Sequence, residues 1–125
     1  MIGENIVEEN VKNNGSQEKS VAPKLILRVV KSSFFIPQTE WVLEPNEHVL
    51  GRYPSNDIVI PDPYVSRRHA KLFFKDGNWF IEDLDSTNGT IVNNEDIRDK
   101  GPVVLVENAE IIIGLTVLTV KFQKS

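Results

Sequence analysis

The chain has 125 residues, no cysteine, only two histidines and a formal net charge of −4. That length suits one domain able to bury an adequate core, and the lack of cysteine excludes disulfides, thiolate metal sites and cysteine nucleophiles. A mildly acidic chain is a poor general binder of nucleic acid, whose affinity rests on Lys and Arg neutralising phosphates, and no run approaches the roughly 18 apolar residues of a membrane span.

Residues 1–23 are rich in Asn, Glu, Lys and Ser, contain no aromatic residue and end at Ala22-Pro23. Such a segment buries too little apolar surface to offset its ordering entropy. It is predicted as a flexible tail, with a short helix over Glu4 to Lys12 as the weaker alternative. Met1 to Asn10 shows no signal-peptide pattern; with the missing cysteines, this makes a cytoplasmic location the expectation.

From Leu25 onward the pattern is that of β-strands. Leu25 to Val30, Trp41 to Leu43, His48 to Leu50 and Ile58 to Ile60 are short apolar runs, separated by Pro37, Pro45-Asn46, Pro54-Ser55-Asn56 and by Pro61 with Pro63. His69 to Lys75 alternates in polarity, Asp76-Gly77 signals a hairpin, and Asn78 to Leu84 returns. Thr90 to Val92, Val103 to Val106, Glu110 to Gly114 and Leu115 to Phe122 complete the series. No segment has helical length and period. Many short strands between frequent turns predict a sandwich or barrel, with Leu72, Phe74, Trp79, Ile81 and Leu84 hidden between two antiparallel sheets.

Three loop segments carry polar residues that a scaffold does not require. Gly51-Arg52 stands where a strand ends, and Gly51 permits a tight turn or a close approach. Ser66-Arg67-Arg68-His69 precedes a strand. Ser86-Thr87-Asn88-Gly89-Thr90 lies between two strands, and Asn88-Gly89 favours the positive φ of a tight turn. Together they supply guanidinium, hydroxyl and amide donors. Converging donors suit an anion: guanidinium grips phosphate in bidentate fashion, and hydroxyls donate to the remaining oxygens. A phosphorylated side chain carries about −1.5 to −2 charges at neutral pH.

These segments in this order resemble the forkhead-associated (FHA) family, as do Asn56-Asp57-Ile58-Val59-Ile60 and Val92-Asn93. The resemblance spans roughly residues 25 to 122. It implies an all-β, antiparallel sandwich of about eleven strands, FHA/SMAD-like, that binds phosphothreonine peptides through loops at one end. By the same resemblance Arg52 contacts the phosphate and Ser66 donates its hydroxyl to a phosphate oxygen. Arg67 meets the phosphate or the peptide backbone, Thr87 lines the phosphothreonine pocket, and Asn88 holds the peptide main chain. Gly51, His69 and Gly89 shape the loops.

One departure is the family's Gly-Asp turn before its penultimate strand, which here reads Glu107-Asn108-Ala109-Glu110. The resemblance implies that this loop bears on the peptide residue three after the phosphothreonine. Some family members also fold a phosphorylated tail threonine back into the site. The tail here has Ser16 and Ser20 but no threonine, so an open site with a partner in trans is expected.

Other readings stand beside this one. Arg52 is in isolation a surface ion-pair residue, Ser66 a turn cap, and Thr87 a strand-edge hydroxyl. Arg68 alternates with Arg67 and faces away. Ser66 and His69 with a nearby Asp suggest a hydrolase, but nothing here forms a nucleophile elbow. Asp57, Asp62, Asp83 and Asp85 match no EF-hand spacing and read as a solvated loop face.

The sequence therefore predicts a tail over residues 1–23 and a phosphopeptide-binding domain over residues 24–125. Its expected partners are a threonine-phosphorylated protein or peptide and an upstream Ser/Thr kinase, with no cofactor, metal, nucleic acid or membrane. The alternative is a phosphorylation-independent assembly domain on the same sandwich.

Overall fold

Side-chain alternation decides which face of each strand meets the core. The computed structural model describes residues 22–124, and of the predicted tail all but Ala22 and Pro23 lies outside the described residues. Eleven strands follow in order: β1 (Lys24–Ser32), β2 (Glu40–Leu43), β3 (Glu47–Gly51), β4 (Ile58–Val59), β5 (Ala70–Lys75), β6 (Asn78–Asp83), β7 (Thr90–Val92), β8 (Glu95–Asp96), β9 (Val103–Val104), β10 (Glu110–Ile113) and β11 (Thr116–Gln123). They build a six-stranded sheet, β2-β1-β11-β10-β7-β8, and a five-stranded sheet, β4-β3-β5-β6-β9.

The two inner faces form one core. The first sheet contributes Leu25, Leu27, Trp41, Leu43, Val92, Ile111, Ile113, Leu118 and Val120, and the second Leu50, Ile58, Leu72, Trp79 and Ile81. Each such aliphatic side chain contributes about 1.5–3 kcal/mol by leaving water. The indole of Trp79 also donates Nε1–H to the Pro23 carbonyl at 2.9 Å, closing the start of β1 against the second sheet.

The inner face departs from expectation at one place. On β6 the inward positions are Trp79, Ile81 and Asp83, two apart, so Leu84 falls on the other parity and is only half-buried. Asp83 takes the inward position instead, with consequences for the neighbouring loop.

Two features departed from the sequence reading: one strand without an apolar signal and one parallel pairing. β8 is Glu95–Asp96, wholly exposed, and owes its existence to pairing with Ile91 and Val92 of β7. β4 runs parallel to β3, with Leu50 opposite Ile58 and Gly51 opposite Val59. The connection between them, residues 52–57, is therefore drawn tightly over the end of the sheet. There it meets the loops β4–β5 and β6–β7.

Candidate functional site

The first loop is pinned by backbone. Arg52 N–H donates to the Ser66 carbonyl at 2.9 Å, Tyr53 N–H to the Arg67 carbonyl at 3.4 Å, and His69 N–H to the Leu50 carbonyl at 2.8 Å. These bonds require the chain at Gly51 to lie against Arg67. A Cβ on Gly51 would stand 2.2 Å from the Arg67 carbonyl oxygen, so the position admits only glycine. The buried Asn56 amide reinforces the contact, Nδ2 donating to the carbonyls of Arg67 at 2.6 Å and Tyr53 at 2.9 Å.

Arg52 leaves this junction half-buried, its Nε–H donating to the Val65 carbonyl at 2.9 Å. Among the described residues its two terminal nitrogens take no hydrogen bond, and they remain free donors. Its guanidinium lies 5.6 Å from the centre of the Tyr53 ring, and that of Arg67 lies 5.3 Å from the same ring. One exposed tyrosine thus gathers two guanidinium groups at the mouth of the loops. Arg68, next in sequence, is exposed and joins no such contact among the described residues.

His69 is wholly buried and links the other two loops. Its Nδ1 accepts the Ser66 backbone N–H at 2.9 Å, and its Nε2 donates to the Gly89 carbonyl at 2.8 Å. The bond into Nδ1 fixes the neutral tautomer with the proton on Nε2. Burial lowers its pKa below the ordinary 6.5, against the opposing pull of the Gly89 carbonyl and of the charges of Asp83 and Asp62. Because both ring nitrogens are engaged by backbone, the ring does not reach the Ser66 hydroxyl as a base would have to.

The β6–β7 loop is built around Asp83. Its carboxylate accepts the Ser86 backbone N–H at 2.9 Å, the Ser86 hydroxyl at 2.5 Å and the Thr90 hydroxyl at 2.6 Å. The Ser86 hydroxyl oxygen in turn accepts the Gly89 N–H at 2.9 Å. Gly89 adopts φ +90°, which a side chain would strain. The tightly tied loop presents Thr87 and Asn88 outward, both exposed. Thr87 N–H donates to the Ser66 hydroxyl oxygen at 3.0 Å, and Asn88 Nδ2 donates to the Tyr64 carbonyl at 2.8 Å.

Asp62 does the corresponding work on the β4–β5 loop. Fully buried, it accepts the N–H of Tyr64, the N–H of Leu115 and the hydroxyl of Thr116, each at 2.8 Å. Asp62 and Asp83 are therefore interior acceptors that brace loops, and the solvated-face reading holds only for the exposed Asp57 and Asp85. Among the described residues, no three His, Cys, Asp or Glu side chains converge as a metal ion would need.

The outcome is a concavity of about 140 Å³ lined by Arg52, Pro63, Tyr64, Val65, Ser66, Thr87 and Asn88. Four of the five expected binding residues stand on its wall. The fifth, Arg67, lies on the rim beside Tyr53. A larger open hollow of about 570 Å³ lies beyond Asp85 and Ser86, lined by Asp96, Arg98, Asp99 and Lys100. Both of its cations are already paired, Arg98 with Asp96 at 2.8 Å and Lys100 with Glu95 at 2.9 Å, so it is the poorer anion site.

The Glu107–Glu110 turn is not part of this end. Thr90 pairs with Ile113 and Val92 with Ile111, so the start of β10 lies away from the Thr87–Gly89 loop. Asn108, at φ +70°, makes the turn there and donates to the Val120 carbonyl at 2.8 Å. The expected influence of this turn on a bound peptide is thus overturned by distance along the sheet. The turn that does lie at the binding end is Gly114-Leu115, held by Asp62.

A family model for the FHA domain matches residues 48–114, more than half of the chain. The chain belongs to the FHA domain family. It is similar to the FHA domain-containing protein FhaB of Mycolicibacterium smegmatis, 34% identical over 73 residues, which are 58% of this chain and 46% of that one. This FHA chain thus spans less than half the length of that curated relative. In structure it resembles the FHA domain of a hypothetical protein of Arabidopsis thaliana, with a TM-score of 0.76 and 29% identity over 89% of this chain and 96% of that one. It also resembles Mycobacterium tuberculosis EmbR in complex with a low-affinity phosphopeptide, with a TM-score of 0.70 and 28% identity over 89% of this chain and 27% of that one.

Tyr53 and Tyr64 were not singled out by sequence reasoning, and Pro63 was read only as a strand breaker. A tyrosine and a Pro-Tyr pair in loops carry no donor pattern, and only their position against Arg52 and Ser66 gives them meaning. Asn56, in contrast, stood in a run already noted for its resemblance.

Proposed function

We propose that this FHA domain is a phosphothreonine-dependent protein-binding module, downstream of a Ser/Thr protein kinase, and catalyses nothing itself. The binding unit in this reading is residues 24–125, its partner a threonine-phosphorylated protein in trans, and its location the cytoplasm. The observation that carries it is the pair of free terminal nitrogens on Arg52, held beside the Ser66 hydroxyl at one concavity. A dianionic phosphate satisfies both donors at once. In this reading Arg67 adds charge at the rim, Thr87 lines the pocket, and Asn88 holds the peptide main chain. The structural relative EmbR, bound to a phosphopeptide, supports it. The engagement of both His69 nitrogens by backbone argues against a Ser66 hydrolase.

The test is binding to a degenerate phosphothreonine peptide library, with unphosphorylated controls and an Arg52→Ala variant. Loss of a charge-assisted contact should weaken binding by about 2–5 kcal/mol. Phosphate-independent binding, or full affinity in Arg52→Ala, would refute the reading. Matched phosphoserine peptides measure the methyl group, about 0.8 kcal/mol for simple burial and about 1–3 kcal/mol in a fitted cavity.

A second reading, phosphorylation-independent assembly, has one observation in its favour. The outer face of the five-stranded sheet carries Phe73 stacked on Phe80, ring centres 5.4 Å apart, in register with the exposed Val104. Arg52→Ala leaves such an assembly intact, so the same variant separates the two.

A further inference from the structure

Asn88 is exposed, lines the phosphate concavity and is followed by a glycine. An Asn-Gly pair carries its own reactive geometry, because the glycine has no side chain to hinder approach of its nitrogen. That nitrogen attacks the carbonyl carbon of the asparagine side chain and gives up its proton. The side-chain amide leaves as ammonia and a succinimide ring closes. Water then opens the ring at either carbonyl, leaving aspartate or isoaspartate, whose main chain is longer by a methylene. Water is consumed, ammonia is released, and nothing is oxidised or reduced.

In the folded chain both reacting groups are held. The Gly89 N–H donates to the Ser86 hydroxyl oxygen at 2.9 Å in a buried bond. The Ser86 hydroxyl gives its own proton to Asp83 at 2.5 Å, so its oxygen stays turned to accept. An amide in a buried hydrogen bond yields its proton only when the local structure opens. Asn88 Nδ2 meanwhile donates to the Tyr64 carbonyl at 2.8 Å, which ties the side-chain amide to the neighbouring loop. The sequence holds one other Asn-Gly pair, Asn14-Gly15, outside the described residues.

We propose that Asn88 is a deamidation site that the Asp83–Ser86 brace keeps closed, and that its conversion to a carboxylate shuts the phosphate concavity irreversibly. The chemistry stands on these hydrogen bonds; its consequence for binding rests on the phosphothreonine reading above. A carboxylate at this position has no N–H for the Tyr64 carbonyl, so two acceptor oxygens face each other where a bond had been. Its negative charge stands on the same concavity wall as the Arg52 guanidinium, where it repels an arriving phosphate and competes for the same donors. Isoaspartate also lengthens the chain between Ser86 and Gly89, whose bond closes the loop.

The experiment ages the full chain in mildly alkaline buffer, folded and in urea, and follows both Asn-Gly pairs by peptide-mapping mass spectrometry. Conversion of Asn14 in the same digest normalises each sample. Asn88 should convert slowly in the folded parent and roughly ten-fold faster in Ser86→Ala, where the Gly89 N–H loses its acceptor. Thr90→Val is the companion variant. It removes another bond to Asp83 but leaves Gly89 on Ser86, so Asn88 should stay slow. Equal acceleration in the two variants, or equal rates in the folded and urea-treated parent, would overturn the gating. In peptide titrations Asn88→Asp should bind phosphopeptide roughly ten-fold more weakly than Asn88→Ala. Asn88→Asp binding no worse than Asn88→Ala would overturn the silencing. Absence of phosphate-dependent binding in the parent would bring down the functional reading and the silencing together, while the rates at Asn88 alone still decide the gating.

Discussion

The backbone amide of Ser66 donates to Nδ1 of His69 at 2.9 Å, a bond that exists only while that nitrogen carries no proton. The other ring nitrogen holds the Gly89 carbonyl, and one buried imidazole thus couples two loops. Burial depresses its pKa below 6.5 in the folded protein. The unfolded chain therefore takes up the proton first as pH falls. This group's contribution to stability is whole above 6.5, declines below it, and is gone once pH has passed below the depressed folded value.

His69→Gln should remove this pH-dependent component, and His69→Ala should cost about 2–4 kcal/mol because two buried backbone groups lose their partner. Urea titrations at pH 7.5 and 5.5 check both. Stability that changes equally with pH in the parent and in His69→Gln would contradict the assignment.

Gly51→Ala is expected to disturb the junction on which Arg52 stands. The added Cβ would approach the Arg67 carbonyl oxygen to 2.2 Å and Asn56 Nδ2 to 2.7 Å, and backbone cannot swing aside as a side-chain end does. The expected cost is about 1–3 kcal/mol of stability, accompanied by weaker phosphopeptide binding. Gly77→Ala serves as the control. It meets nothing within 4 Å and costs only its positive φ, about 1–2 kcal/mol, with binding unaffected at the far hairpin. Denaturation and peptide titration of both variants separate a local clash from a general loss of stability.

Tyr53 gathers Arg52 and Arg67 over one ring, and the ring face rather than the hydroxyl attracts them. Tyr53→Phe should therefore bind phosphopeptide as the parent does. Tyr53→Ala should lose about 0.5–1 kcal/mol without a comparable loss of folding stability. Calorimetric titration of the two variants decides this, and equal affinities in both would show that the tyrosine does not organise the site.

Most of the scaffold was legible in the chain order of its residues. Alternating apolar runs between Pro, Asn and Gly place ten of the strands, because burial of one face imposes period two on the residues that form it. The donor-rich segments at Arg52, Ser66 and Thr87-Asn88 stand out for the opposite reason: a scaffold has no use for such groups in loops. β8 was invisible since a two-residue, fully exposed edge strand needs no apolar side chain. Only the tertiary structure decided that Asp62 and Asp83 are interior braces, since a carboxylate's burial depends on donors that arrive from distant strands, as Leu115 and Thr116 do for Asp62. It alone also placed the Gly114-Leu115 turn, and not Glu107–Glu110, beside the binding loops. Which turns share an end follows from strand pairing, and pairing is a relation between segments that no single segment encodes.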